Sequence, residues 1–454
     1  MEQLNQQNTG YFDVVIGNPP YIKEGKNKKA FDNVHKSPYY QGKMDLWYLF
    51  ACYGIDFLKT GGLLCFIATN NWVTSFGANK LRNKVISDTK ILKLVDFGNF
   101  KIFESASIQT MVMLFEKNNV LDNYYFDYRR LSGNTVKEDV FDLLALQANI
   151  KAEYIMPKII KNELYNSFLT FNNKIKDELL DKIQVDCIKL YEKEIANGIH
   201  PHYDFINNKI LKNHPSFRFG EGIFGLSEIE KESLKLTKLE KELVKPYYTT
   251  AEISRYYTDA NNKLWIIYTD SRFKNPDSMI PYPNLKTHLD KFKGVITSDN
   301  KPYGLHRARD ERFFKGEKII VQRKCSDQPS FSYSDFDTYV SATFYVIKTN
   351  RFNLKYLTAL LNSKLIEFWL RNKGSLQGNN FQLDKVPLLD IPIKTPSKYE
   401  ESIIINMVDP ILNANMKNQN FNTSEIESEI NMMIFKIYNL NDDEIKIIEG
   451  LCPQ

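Results

Sequence analysis

The chain has 454 residues, 43% of them apolar and 25% charged, and carries a formal net charge of +5. At roughly 150 residues per domain this length suggests two or three domains, and the apolar content excludes disorder for the bulk of the chain. The sequence has no run of about 18 uncharged apolar residues and a polar stretch at 1–10, so neither a spanning helix nor a secretory signal is expected, and five scattered cysteines indicate a reduced, cytoplasmic protein.

In chain order, Tyr11–Ile16 is an apolar run stopped by Gly17-Asn18-Pro19-Pro20, which predicts a buried strand ending in a loop. Asp45–Leu58 has apolar residues at helical spacing and is closed by Lys59-Thr60-Gly61-Gly62. Leu63–Ala68 is then a second buried strand, Ala78–Ser87 a helix, and Ile91–Phe97 and Thr110–Phe115 further strands. This alternation predicts an α/β layered sheet over residues 1–118. Val136–Glu194 is rich in Lys, Glu, Leu and Ile at helical spacing, and residues 119–195 are expected to form a helical linker. Residues 196–396 alternate short β-prone runs (Leu264–Tyr268, Lys318–Gln322, Tyr339–Ile347) with turns and end in a strong helix, Leu354–Leu370, predicting a mixed α+β domain. Residues 397–454 are expected to form a helical tail.

The charge is unevenly placed. Asp186–Thr395 holds 33 Lys and Arg against 25 Asp and Glu, a net +8, which leaves −3 for the remainder. A basic block rich in aromatics is the electrostatic footprint of a nucleic-acid partner, and equally that of a solvated basic surface.

Asn18-Pro19-Pro20-Tyr21, directly after an apolar strand, is suited to methyl transfer onto a planar amino nitrogen. Such a nitrogen is a poor nucleophile because its lone pair is delocalised. Acceptors that take its N–H bonds return electron density to it and aim the lone pair at the donor. The Asn18 side-chain carbonyl and the Pro19 main-chain carbonyl can each accept one bond, and the prolines add no competing N–H. Tyr21 offers a flat face for a base swung out of the duplex. The competing reading is a proline-rich turn without a role.

These residues resemble the γ-class adenine-N6 DNA methyltransferases of TaqI-like type, whose catalytic core also occurs in type IIG restriction–modification enzymes. Phe12–Tyr21 resembles the family's catalytic motif, Lys43–Phe50 the helix after it, and Leu58–Ile67 its turn and central strand. Phe97–Phe103 with Ala106–Thr110 resembles the segment whose aromatic residue packs on the flipped base. The resemblance gives that role to Phe103, with Phe100 as second choice and a plain core aromatic as the alternative. Gly198–His202, Leu357–Trp369, Gln377–Gln382 and Val386–Pro392 are similar to parts of the family's C-terminal specificity domain, which implies that 196–396 recognises double-stranded DNA.

Within that block Arg307, Arg309, Arg312, Arg323 and Lys324 are candidate DNA contacts. Arginine forks onto phosphate or guanine, and phosphate is the commoner partner; solvation or internal ion pairing is the third possibility. Asn379, Asn380 and Gln382 could read bases or shape a loop. His200 and His202 have no Cys or Asp at ligand spacing, so no metal is expected.

The resemblance also implies S-adenosylmethionine as methyl donor. In the family's order a Gly-rich cofactor loop and an acidic residue precede the catalytic strand, whereas here only residues 1–10 do. The expectation is a partial Rossmann-like methyltransferase domain with the later strands only, Asn18 touching the edge of the cofactor pocket, and the remainder supplied by a separate N-terminal half. The catalytic strand would then be an unpaired apolar edge. Phe219–Gly225 fits a G-x-G-x-x-G spacing, but no buried strand leads into it, so a permuted cofactor loop is the weaker reading. No nuclease motif of P-D…E-x-K type is present. The alternatives are a catalytically inactive DNA-binding specificity subunit, or a protein or RNA amino-methyltransferase.

Overall fold

The strand–helix alternation is realised, in the computed structural model of the chain, as a mixed α/β architecture. Residues 10–103, 108–118, 122–172, 174–377, 380–416 and 422–450 are described. They fall into two compact units, Met1–Lys182 with Arg371–Asn379 and Ile183–Leu370 with Asn380–Gln454. Ala106, Asn379 and Cys452 lie outside the described residues.

The first unit is built on one sheet. Phe12–Gly17 (β1) leads through helix Trp47–Phe57 (α1) to Leu58–Thr69 (β2); helix Asn79–Asp88 (α2) then leads to Thr89–Asp96 (β3) and Thr110–Lys117 (β4). Asn123–Tyr125 (β5), Asp127–Leu131 (β6), helix Lys137–Ala145 (α3), Ala152–Ile155 (β7) and Lys158–Ile160 (β8) follow. The strand order across the sheet is β1-β2-β4-β3-β6-β7. β1 and β2 are parallel, as are β3 and β6, and the other neighbours are antiparallel. Period-2 alternation in β2 buries Leu64, Phe66 and Ala68, and α1 packs Trp47, Leu49 and Ile55 into the same core.

Two expectations fail here. The strand at Tyr11–Ile16 is not buried: Tyr11 and Ile16 are each 77% exposed, and Phe12 and Val14 are exposed too. Among the described residues it stands at the end of the sheet with β2 as its neighbour; Val15 reaches the core, while Phe12 meets the edge of the Phe57 ring, itself exposed. The stretch 119–195 is not purely helical either. β6 and β7 extend the sheet, and β5 pairs with β8, because Tyr124, Phe126 and Tyr128 alternate and bury their rings. Helix Lys174–Gln184 is the helical part of that stretch that meets the expectation most directly.

The second unit holds two larger sheets. Ile195–Asn197, Phe344–Ile347, Lys318–Gln322, Phe331–Ser334 and Tyr256–Tyr257 lie side by side in that order. Gly225–Ser227, Leu264–Ile267, Val244–Tyr248 and Tyr339–Val340 form the other sheet. Continuous apolar strands such as Ile319-Ile320-Val321 are fully buried. Helix Leu354–Leu361 packs on the first of these sheets, and Asn362, itself buried, closes the contact by exchanging hydrogen bonds with the main chain of Phe331 at 2.8 and 3.1 Å. The described part of 397–454 is helical as expected, with helices Lys398–Met416, Ser424–Ile437 and Asp442–Gly450, but it belongs to the second compact unit, Lys398–Met416 packing on helix Leu354–Leu361. Among the described residues no helix is long and apolar enough to cross a membrane.

Candidate active site and nucleic-acid interface

Asn18 follows the C-terminal end of β1, the end of a parallel strand at which α/β proteins seat ligands. Pro19 is buried and anchors the turn, while Asn18 and Pro20 stay exposed. The chain beyond is clamped to the start of α1 by main-chain bonds from Leu46 N–H to the Ile22 carbonyl (2.9 Å) and from Glu24 N–H to the Met44 carbonyl (3.0 Å). Tyr21 is thereby fixed with its hydroxyl donating to Asn18 Oδ1 and lying 2.8 Å from the Ile67 carbonyl of β2. Burial, and secondarily the Asp45 carboxylate, push the Tyr21 phenol up to about 12, so it remains a donor at neutral pH.

Phe103 reaches this point from the β3–β4 connection. Gly98 has φ +56°, and a Cβ there would lie 2.2 Å from the Leu131 carbonyl oxygen, so only glycine fits the turn. Asp96 Oδ1 accepts from both the Gly98 N–H and the Asn70 side chain at 2.9 Å, which ties the turn to the end of β2. The Phe103 ring then sits 6.4 Å from that of Tyr21 at 53°. Phe100 instead packs with Val95, Phe97 and Leu131 in a small core cluster. Geometry therefore places Phe103, and not Phe100, beside Tyr21.

An apolar groove of about 770 Å³ runs beside β1, bordered by Asn18, Pro19, Ile16, Phe50, Phe57 and their neighbours. A second pocket, of about 580 Å³ and rimmed by charged residues, was missed by sequence reading. Lys23, Lys26, Lys28 and Lys43 rim it, all exposed, and none forms an ion pair among the described residues. Its signal was legible: Ile22–Lys43 holds six lysines against two acids, but this was averaged away within the acidic remainder of the chain. Asp45 lines the same pocket, 3% exposed, with Oδ1 unpartnered among the described residues. Burial raises its carboxyl pKa against the main-chain N–H groups and Lys23 that lower it.

In the second unit the candidate DNA contacts are mostly engaged internally. Arg307 pairs with Asp299 at 2.9 Å, Arg312 with Asp310 at 2.7 Å, and Arg323 with Asp384 at 2.6 Å. Arg309 donates from Nε to the Gly198 carbonyl at 3.3 Å, and Lys324 is exposed. Asn380 and Gln382 lie in a short strand paired with Lys324–Cys325 rather than in a loop. The glycines of Phe219–Gly225 form a turn that runs into strand Gly225–Ser227, without the strand–loop–helix setting of a cofactor site, so they do not fit S-adenosylmethionine. Among the described residues no group of three or more His, Cys, Asp or Glu is arranged to hold a metal ion.

Comparison with known proteins agrees with this layout. Residues 2–103 match the Eco57I restriction-modification methylase family and residues 245–393 the TaqI-like C-terminal specificity domain, together more than half of the chain. The type II methyltransferase M.HincII of Haemophilus influenzae is 24% identical over 404 residues, covering 84% of this chain and 74% of that protein. The type II restriction enzyme and methyltransferase RM.Eco57I of Escherichia coli is 24% identical over 411 residues, covering 82% of this chain and 39% of that protein. Among solved structures, the type IIL restriction-modification enzyme MmeI in complex with DNA has a similar fold, with a TM-score of 0.60 at 14% identity over 96% of this chain. The chain spans 56% of that MmeI chain, so it corresponds to only part of such larger enzymes. With a segment similar to a restriction-modification methylase at one end and one similar to a specificity domain at the other, the chain resembles the type II restriction–modification methyltransferases along most of its length.

Proposed function

We propose that the chain provides the amine-binding loop and the target-recognition domain of a site-specific DNA methyltransferase that acts on N6 of a flipped adenine. The observation that carries this reading is the meeting of Asn18, Tyr21 and Phe103 at the end of β1, one acceptor beside two aromatic faces. The extruded base stacks on Tyr21 and Phe103, and its amine donates to Asn18 Oδ1 and the Pro19 carbonyl. The Tyr21 hydroxyl has one proton and two acceptors in reach, so when the amine takes Asn18 the hydroxyl turns fully to Ile67. S-adenosylmethionine supplies the methyl group. This chain's residues offer it only the edge at Asn18, and the exposed apolar side of β1 supports docking of a cofactor-binding half that pairs with that strand. Arg307, Arg309, Arg312, Arg323 and Lys324 are proposed to exchange their internal partners for DNA phosphates.

The test is reconstitution with a cofactor-binding half and duplex DNA, followed by nucleoside analysis. N6-methyladenine is expected, and Asn18→Ala lowers its formation by about 10²–10³, comparable to deleting one aligned hydrogen-bonding group, while DNA binding persists. A methylated cytosine, or full activity in the variant, overturns the assignment. DNA binding with no methylation under any condition favours a binding-only specificity subunit. Tight binding of S-adenosylmethionine by the chain alone overturns the divided cofactor site.

A further inference from the structure

Three of the six histidines of the chain meet in the second unit. The His200 and His306 ring centroids are 5.1 Å apart, His202 and His306 5.9 Å, and His200 and His202 6.4 Å. They come from two loops joined back to back, with His200 and Arg307 exchanging both main-chain hydrogen bonds at 2.9 Å. That exchange also brings Arg307 and Arg309, both exposed, to the rim of the cluster. His202 and Arg309 take φ of +85° and +71°, left-handed values that such residues seldom adopt. The Arg309 turn is held by the Tyr268 hydroxyl, which donates to its carbonyl at 2.9 Å.

The other groups facing the cluster are few. Lys209 adds a positive charge near His202, and the Tyr203 ring packs against His202 at 4.5 Å. His202 Nδ1 shares a hydrogen bond with Thr297 Oγ1 at 2.8 Å. Among the described residues, Asp299 is the acid paired at the cluster, 2.9 Å from Arg307 and 3.6 Å from His306 Nδ1. The cluster thus gathers three imidazoles, two guanidiniums and an ammonium, with Asp299 reaching Arg307, His306 and His202 and already paired to Arg307. Burial first, then repulsion by His306, hold the His200 and His202 pKa values below the usual imidazole range. His200 and His202 are thus biased toward their neutral forms, and an arriving anion would oppose that bias.

We propose that His200, His202 and His306, with Arg307 and Arg309, form a proton-linked clamp for one DNA phosphodiester. The inference rests on DNA being the partner of this domain. The phosphate takes Arg307 from Asp299, and one or more imidazoles accept a proton from solvent and donate to its oxygens. Because the complex holds more protons than the free protein, affinity rises as pH falls and is lost as pH climbs through the bound-state histidine range. Phosphate contact does not depend on sequence, so any duplex reports it.

The test is the affinity of the full chain for a fluorescent duplex at pH 6, 7 and 8 at fixed ionic strength. We expect binding to tighten about tenfold or more from pH 8 to pH 6, as uptake of a single proton allows. His200→Gln, His202→Gln and His306→Gln together should flatten that dependence, and Arg307→Gln should weaken binding at every pH and lower the salt slope by about one. Histidine ring NMR of the unaltered protein gives a reading that needs no variant: at least one resonance of the cluster should titrate at higher pH once duplex is added. DNA binding that does not vary with pH, or a pH dependence that survives the triple substitution, overturns the clamp and leaves the DNA reading standing. Binding that requires zinc and is abolished by a chelator makes the cluster a metal centre and also overturns it. Failure to bind any duplex at any pH overturns both the clamp and the DNA reading.

Discussion

At the scale of single residues, the loop after β1 assigns different work to ring and hydroxyl of Tyr21. The ring faces Phe103, and the hydroxyl bridges Asn18 and Ile67. Base–aromatic stacking is worth about 1–3 kcal/mol, so Tyr21→Ala should weaken productive base capture by about 5- to 150-fold. Tyr21→Phe keeps the ring and should hold methylation within about tenfold of the unaltered protein. Steady-state rates on a duplex carrying the target site check this; equal loss in both variants would shift the role from stacking to the hydroxyl. Much of this site was legible from sequence, since Asn18-Pro19-Pro20-Tyr21 combines a strand, a turn without N–H donors and a side-chain acceptor. The choice between Phe100 and Phe103 was not, because both are apolar positions in one short segment, and spacing does not say which ring packs on the small core cluster and which stands beside Tyr21. His306 was missed as a neighbour of His200 and His202 because about a hundred residues separate it from them in the chain.

At the scale of elements, the segment from Ile22 to Lys43 joins the catalytic loop to α1 and sets four lysines around one pocket. A strand carrying the target base would place its phosphates near this rim, since the loop proposed to hold the amine is continuous with it. Changing Lys23, Lys26, Lys28 and Lys43 to Gln should lower duplex affinity about tenfold or more near physiological salt and reduce the magnitude of the salt slope by about two to four. Fluorescence titrations across a salt series would show it, and an unchanged slope would return the four lysines to ordinary solvated surface. Element boundaries were readable where strand and helix alternate cleanly, as from β1 to β4. They were not readable in 119–195, where Leu and Ile at helical spacing outweighed the short aromatic alternation that builds β5 and β6.

At the scale of the whole molecule, the two ends differ in how complete their surfaces are. The second unit buries its apolar strands within two sheets, whereas β1 ends the first sheet with Phe12, Val14 and Ile16 exposed. An uncovered apolar edge invites strand pairing with another chain. Ile16→Lys should therefore reduce self-association of the isolated chain in sedimentation experiments and also impair reconstitution with a cofactor-binding half. Unimpaired reconstitution would place the docking surface elsewhere. The net charge of +5 conceals this polarity, because the basic specificity block and the lysine rim are offset by acids distributed over the rest of the chain.

The hydrogen bond between Tyr21 and Asn18 bears on how the enzyme would tell bases apart. In the resting state the acceptor is occupied by the protein's own hydroxyl, and that hydroxyl has a second carbonyl waiting. Entry of an amine replaces the hydroxyl at Asn18 while the hydroxyl keeps Ile67, so the bond to the Pro19 carbonyl is the part with no counterpart in the resting state. A purine without the exocyclic amine would forgo that bond, keep its stacking on Tyr21 and Phe103, leave the Tyr21–Asn18 bond unbroken, and remain there as an unreactive occupant. Discrimination would then fall on turnover rather than on capture, and such an analogue would act as a competitive inhibitor in place of a rejected substrate.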